Sequence, residues 1–407
     1  MTKHRRIYIA LPLMDELENI SMMLSCLENQ QWKDFEVVCC VNQPDSWWAD
    51  EGKKEICYRN LKTIDFLKRV TGINISIIDK TSPGNGWDAK NYGVGWARKT
   101  AMDEISRKAN PEDIILSLDG DTAYAENYFG EIVKKFGQFP EIKATAVPYY
   151  HKLTGDERAD MAILRYEIYM RCYAINMLRI SNPYAFTALG SAIACTVQTY
   201  RILGGITPHK SGEDFYFLQK LRKFGHVLID FPEKVYPAAR FSDRVFFGTG
   251  PAMIKGATGD WSGYPIYPDC FFDEVGETFS AFPELFENEN KTPMDEFLRE
   301  KFGNDFLNPL RRNCKSAQKF YTACWHKIDG LRVLQYVKTK YQASNQSDDK
   351  NLLTFLRRFY PQDSLTKRLL SENFSLENAL IAQLDELRNF LVKKEELWQQ
   401  KIKILQR

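Results

Sequence analysis

Two periodicities alternate along the first 150 residues. Short apolar runs occur at RRIYIALPL (5–13), FEVVCCVN (35–42), INISIID (73–79), DIILSLD (113–119) and IKATAVPYY (142–150), each of strand length and rich in β-branched residues. Between them, at 16–30, around 50–70, from about 88 to 108 and at 125–138, the apolar residues recur at helical spacing. Strands separated by helix-length segments predict right-handed βαβ crossovers, hence an α/β fold whose mostly parallel sheet is flanked by helices. A further helical stretch at 156–180 precedes AFTALGSAIACTV (185–197). Beyond about residue 250 the strand-like alternation stops. A segment rich in Gly, Pro and aromatics, GDWSGYPIYPDCFFDE (259–274), leads into helix-patterned sequence up to the last residues. The expected division is therefore 1–250 for the α/β domain and 251–407 for a mainly helical C-terminal region. Leu384, Leu387, Leu391, Trp398, Ile402 and Leu405 form an apolar stripe on the last helix. That stripe either packs on its own domain or makes a homodimer contact.

Charge adds little to this picture, and its weakness is informative. With 55 basic and 53 acidic residues the formal net charge is +2, so no global field recruits nucleic acid. No run reaches the roughly 18 apolar residues that span a bilayer, and the opening MTKHRRIYIALPLMDELEN meets acidic residues before a signal-peptide core forms. The expectation is a cytoplasmic chain without a transmembrane segment. Peripheral membrane contact through the lysine-bearing face of the final helix stays open. The nine cysteines are scattered and contain no C-x-x-C spacing, which reads as reduced, buried thiols.

Candidate chemistry sits where the strand at 113–119 ends in Asp119, Gly120 and Asp121. Two carboxylates at a buried sheet edge repel each other and lose hydration, a cost that a divalent cation removes. Mg²⁺ or Mn²⁺ bound by one or two carboxylates completes its shell with water and substrate phosphates, and Gly120 leaves room for a diphosphate. The bland alternative is that one acid caps the helix at 125 and the other is solvated. An aspartyl-nucleophile phosphatase also uses D-x-D, but it wants Thr four residues after the first Asp, where this chain has Ala123. GNGWDA (84–89) fits G-x-G-x-x-A after a strand, so an NAD-dependent oxidoreductase using Gly84, Gly86 and Ala89 is the runner-up. A nucleotidylyltransferase would need a glycine-rich loop after the first strand, and LPLMDELEN contains no Gly.

The ordered set IALPLMDELEN, GWDAKNYGVGWA, ILSLDGD, LGSAIACTVQTYRILGGI and GEDFYFLQKLRKFG resembles family 2 glycosyltransferases of the GT-A fold over roughly residues 5–250. The resemblance implies a nucleotide-diphospho-sugar donor of the UDP or GDP type, a D-x-D metal site, and inverting, metal-dependent transfer of a hexosyl or related group to an acceptor hydroxyl, as in glycan or polysaccharide biosynthesis. Under it, Pro12 and Glu16 lie in the nucleobase-lining loop, with Asp15 in place of the usual Asn. Asn42 or Asp45 takes the nucleobase contact in VNQPDS, while Lys90 and Asn91 match a basic group near base or phosphate. Asp119 becomes the ribose-side member of the acid pair and Asp121 the metal ligand. Glu213 and Asp214 match the family's acid pair, with Asp214 the general base; ordinary helix capping is the alternative reading of that pair. Arg240 and Arg244, before a Gly-Thr-Gly turn, are a candidate diphosphate clamp or else a surface charge pair. His209 is a candidate third metal ligand. Trp261, Tyr264, Tyr267 and Phe271 either stack on an acceptor sugar or simply pack. A catalytically silent GT-A-fold binding protein would keep the architecture and bind neither metal nor nucleotide.

Overall fold

The computed structural model describes residues 5–244, 248–344, 346–372 and 374–405, with side chains to residue 401. The chain divides into two compact units, Met1–Ala159 with Thr187–Ile254, and Asp160–Phe186 with Lys255–Arg407. The second unit thus takes in a segment, 160–186, from near the middle of the chain, which the hydrophobic pattern alone does not reveal.

The first unit is the expected α/β body. Its strands are β1 (Ile7–Leu13), β2 (Phe35–Asn42), β3 (Ile75–Lys80), β4 (Ile114–Ser117), β5 (Thr122–Tyr124), β6 (Ile142–Ala146), β7 (Ile193–Thr196), β8 (His226–Leu228) and β9 (Val235–Pro237). Seven of them form a sheet in the order β3-β2-β1-β4-β7-β6-β8, and β5 pairs with β9 in a separate ribbon. β7 runs antiparallel to both β4 and β6, while β1 is parallel to β2 and β4. β1, β2 and β4 are buried along their whole length, as continuous Ile/Val/Leu runs covered on both faces should be. Its helices are α1 (Ile20–Glu28), α2 (Lys54–Lys68), α3 (Val94–Lys108), α4 (Tyr128–Gln138), α6 (Val197–Ile202), α7 (Glu213–Phe224) and most of α8 (Thr249–Gly256), whereas most of α5 (Glu157–Arg179) belongs to the second unit.

Two local expectations shift. The helix expected from 88 begins only at Val94, after Gly93 at φ 103. Within AFTALGSAIACTV (185–197) the strand is confined to Ile193–Thr196. The strand at 142–150 ends at Ala146, and Tyr149 makes an isolated bridge to Val235 instead.

In the second unit, Leu384, Leu387 and Leu391 are fully buried in a core with Leu164, Ile168, Leu352, Phe355 and Leu356, and Trp398 packs against it. The described part of the last helix's stripe is therefore used inside its own unit; the side chains of Ile402 and Leu405 lie outside the described residues. Tyr267 and Phe271 are buried, and Tyr264 meets Tyr166 and Tyr169 edge-on, so this aromatic run packs within the unit. Among the described residues, no helix is long and apolar enough to cross a membrane.

Candidate active site

From β1 the chain builds outward to β2 and β3 on one side, then returns to place β4 on the other. Such a reversal opens a crevice at the carboxyl ends of the two strands it separates, the usual ligand site of an open α/β sheet. Here the reversal lies between β1, which ends at Leu13, and β4, which ends at Ser117. Glu16 follows the first and Asp119 and Asp121 the second. Pro12, buried in β1, lies two residues past the last β1–β4 rung, Ala10↔Ser117. On that side of the strand its missing N–H costs no ladder bond.

The loop after β1 is braced from several directions. Asp15 adopts the left-handed conformation (φ 58), its N–H donates to Asn60 Oδ1 at 2.8 Å, and its carboxylate takes both Nε and Nη2 of Arg59 at 2.6 and 2.9 Å. Arg244 donates through Nη1 to the Met14 carbonyl at 2.7 Å and to Glu16, while Asn19 donates to the other Glu16 oxygen at 2.7 Å. A Cβ on Gly120 would lie 2.7 Å from Leu13 Cδ2 and 3.2 Å from Glu16 Cγ, so this glycine admits the loop itself.

Glu16 and Asp121 meet over one guanidinium nitrogen. Arg240 Nη2 donates to Glu16 Oε1 at 2.6 Å and to Asp121 Oδ2. Arg244 Nη2 stands 3.7 Å from Asp121. Burial pushes both carboxyl groups above their ordinary range, followed by Asp121 acting on Glu16 and Asp119 acting on Asp121, and Arg244 opposes both shifts. Among the described residues, Arg240 Nε is buried with no hydrogen-bond partner. The two arginines, left open between clamp and surface pair, are thus partly buried inside the crevice. Arg244 is committed to the loop, whereas Arg240 retains an unused donor.

Asp119 belongs to a different centre. Arg98, 2 % exposed on the inner face of α3, donates through Nη2 to Asp119 Oδ1 at 2.8 Å, through Nε to Glu213 Oε1 at 3.0 Å and through Nη1 to the Gly190 carbonyl at 3.1 Å and to Ser117 Oγ. Burial alone would lower its pKa, but Asp119 and Glu213 outweigh that and raise it. Gly212, at φ 78, turns the chain into α7, where Glu213 is buried against Arg98 and Asp214 is partly exposed. Burial, followed by the charge of Glu213, pushes the Asp214 carboxyl up to about 7 against the pull of Arg98. Its Oδ1 accepts the Phe215 N–H at 2.7 Å, an α7 first-turn bond that favours the ionised form.

The remaining expected residues fall around this crevice or away from it. Asn42 is buried at the end of β2; its Nδ2 donates to the Leu13 carbonyl at 2.9 Å, and its Oδ1 has no partner among the described residues. Asp45 accepts the Gly84 N–H at 2.7 Å and so ties its turn to the loop after β3. Lys90 and Asn91 are exposed, with both N–H groups donating to Asp88 at 2.8 Å. The His209 ring lies 4.8 Å from that of Tyr216, tilted by 39°, and its backbone packs against Gly95.

The dinucleotide alternative is corrected here. Gly84, Gly86 and Ala89 lie in a loop that ends before Val94 opens α3, so these glycines do not stand at a strand-to-helix junction. A Cβ on Gly86 would lie 2.7 Å from the Asp45 backbone, so this glycine serves loop packing and not approach to a pyrophosphate.

A divalent ion has a restricted donor set. Among the described residues no three His, Cys, Asp or Glu gather as ligands. Asp121 and Glu16, however, converge on a single cationic nitrogen and both are held above their ordinary range, which is the environment a hard cation relieves when water and substrate oxygens complete its shell. The residues fit a site completed by substrate, with Glu16 beside Asp121 and Asp119 held by Arg98.

Sequence reasoning missed Arg98. Its signal was a lone arginine on the inward face of α3 among Ala97, Ala101, Met102 and Ile105.

No protein-family model and no curated protein matches the chain. Among solved structures it is similar to S. aureus TarS 1–349, at 12% identity over 83% of this chain and 91% of that chain with a TM-score of 0.40. The same TarS fragment in complex with UDP-GlcNAc matches at 12% identity over 83% and 92%, with a TM-score of 0.44. GalNAc-T7 with UDP, GalNAc and Mn2+ matches at 11% identity over 82% of this chain and 58% of that chain, with a TM-score of 0.39.

Proposed function

We propose that the chain is an inverting glycosyltransferase that moves a hexosyl or related sugar from a UDP- or GDP-linked donor to an acceptor hydroxyl of a glycan. The observation that carries this reading is the meeting of three acidic segments at the sheet's switch point: Glu16, Asp119 with Asp121, and Glu213 with Asp214. They are linked by Arg98 and by Arg240, which has a donor to spare.

A hydroxyl is a poor nucleophile at neutral pH. Asp214, partly exposed and poised near neutrality, accepts its proton while the oxygen attacks the anomeric carbon. The C–O bond to the donor's diphosphate breaks as the new bond forms on the opposite face, which inverts the centre. The nucleoside diphosphate leaves with the bonding electron pair, and Arg240 offers N–H donors to the charge that develops. Asp121, next to Glu16, would hold a divalent ion, which when bound supplies positive charge against the leaving diphosphate. Asp119 takes the ribose side. Pro12 and the unpartnered Oδ1 of Asn42 border the nucleobase, where an acceptor oxygen favours a base that presents an N–H.

Thermal stabilisation by UDP, GDP and NAD, each with and without Mn²⁺, tests the reading. At about 100 times the dissociation constant a ligand adds on the order of 2.7 kcal/mol, a readily visible shift. UDP or GDP should stabilise the parent, more strongly with Mn²⁺, and an Asp121→Asn variant should lose the metal-dependent part. Stabilisation by NAD alone would refute the proposal.

A further inference from the structure

We propose that Arg98 is a positioning residue that couples the donor side of the site to the acceptor side; this role rests on the transferase reading above. The Nε–Nη2 edge of a guanidinium ordinarily grips both oxygens of one carboxylate. In this chain Arg59 does so with Asp15. Arg98 divides that same edge between two acids from distant segments: Nε holds Glu213 at 3.0 Å and Nη2 holds Asp119 at 2.8 Å. Asp119 follows β4 on the donor side, and Glu213 precedes the base Asp214 on α7. One rigid plane therefore fixes the offset between the two halves of the reaction.

The plane itself is immobilised. Nη1 donates to Ser117 Oγ and to the Gly190 carbonyl at 3.1 Å, and Ser117 Oγ donates to the same carbonyl at 2.6 Å. Any Cβ at position 190 would collide with the guanidinium, so the turn before β7 is shaped around it. Neutralising two acids needs only a cation nearby. Holding them on neighbouring N–H groups needs this side chain, because an ammonium is a single point of charge that cannot present two fixed, parallel donors.

The consequence is a separation of effects. Losing the connector should disturb the alignment of acceptor and donor far more than it disturbs donor binding, because misplacement by about 1 Å costs on the order of 100-fold in rate. The test uses the full chain and its Arg98→Lys and Glu213→Gln variants, with UDP or GDP binding read by calorimetry and nucleoside diphosphate release read with and without acceptor. In Arg98→Lys the nucleotide dissociation constant should stay within about threefold of the parent, while kcat for transfer falls about 100-fold. Donor hydrolysis without acceptor should fall much less. Glu213→Gln should resemble Arg98→Lys, and the double variant should be no worse than either single one, because both break the same link.

Three results overturn the role: transfer in Arg98→Lys within threefold of the parent, nucleotide affinity falling in step with kcat, or additive losses in the double variant. A parent chain that releases no nucleoside diphosphate from any sugar nucleotide would instead bring down the transferase reading, and the role with it.

Discussion

The crevice holds two arginine centres with opposite characters. Arg98 is 2 % exposed, and its partners come from β4, the turn before β7 and α7. Arg240 and Arg244 follow β9, with side chains 28 and 22 % exposed, and reach Glu16 and Asp121. Both centres balance a pair of acids, yet burial gives them different work. The Arg98–Glu213 pair is sealed from water and cannot exchange partners without leaving a charge unpaired, so the Arg98 centre is suited to hold geometry. A pair in contact with solvent can trade a carboxylate for a ligand anion at little cost, so the Arg240 centre is suited to bind and release.

The strongest challenge to this contrast removes the partly exposed acid that follows Glu213 on α7. Asp214→Asn should lower kcat by about 10³, within the range of positioned general bases, and leave nucleotide affinity within threefold. Equal loss of affinity would move Asp214 to the donor side. Next comes stability. Arg98→Met leaves Asp119 and Glu213 without their cation and should cost about 3–5 kcal/mol by denaturant unfolding. Arg240→Met, in the solvent-facing centre, should cost about 1 kcal/mol or less, yet weaken UDP or GDP binding by about 10- to 100-fold, the worth of a charge-assisted hydrogen bond. If the two stability losses were equal, the distinction between fixed and exchangeable centres would collapse.

The pH profile sharpens the comparison further. Burial, then Glu213, and more weakly Asp119, raise the Asp214 carboxyl to about 7, while Arg98 and the Phe215 N–H pull it down. A base works deprotonated, so kcat/KM should rise about tenfold per pH unit below that value and level off above it. Arg98→Met removes a cation that favours the ionised form, so the rising limb should move to higher pH. A profile flat from pH 5 to 8 would exclude Asp214 as the base.

The sequence made the solvent-facing chemistry legible and hid the buried connector, for a physical reason. Asp119 with Asp121, and Glu213 with Asp214, are near neighbours in the chain, so a local pattern displays them. Arg98 reaches partners 19, 21, 92 and 115 residues away, and no local spacing encodes that convergence. The strands were readable because β1, β2 and β4 are buried on both faces and carry unbroken apolar runs. The helix expected from 88 begins several residues later because Asp88, Asn91 and Gly93 are poor helix formers, and Gly93 at φ 103 sets the true entry. The allotment of 160–186 to the second unit was invisible, because an amphipathic pattern says that a helix buries a face without saying against what.

The smallest expected effect is also the most direct probe of exchangeability. Raising ionic strength from about 0.05 to 0.5 M shortens the screening length severalfold, which weakens charge interactions in contact with solvent and leaves buried ones nearly intact. Nucleotide affinity in the parent should therefore fall by a few-fold over that range, and the fall should be smaller in Arg240→Met, where the exposed cation is already gone. The ratio of kcat between the parent and Arg98→Lys should not move with salt, since neither Asp119 nor Glu213 reaches Arg98 through water. A salt-dependent ratio would mean that the Arg98 centre opens to solvent during turnover, and the line between the two centres would then be drawn by motion and not by burial.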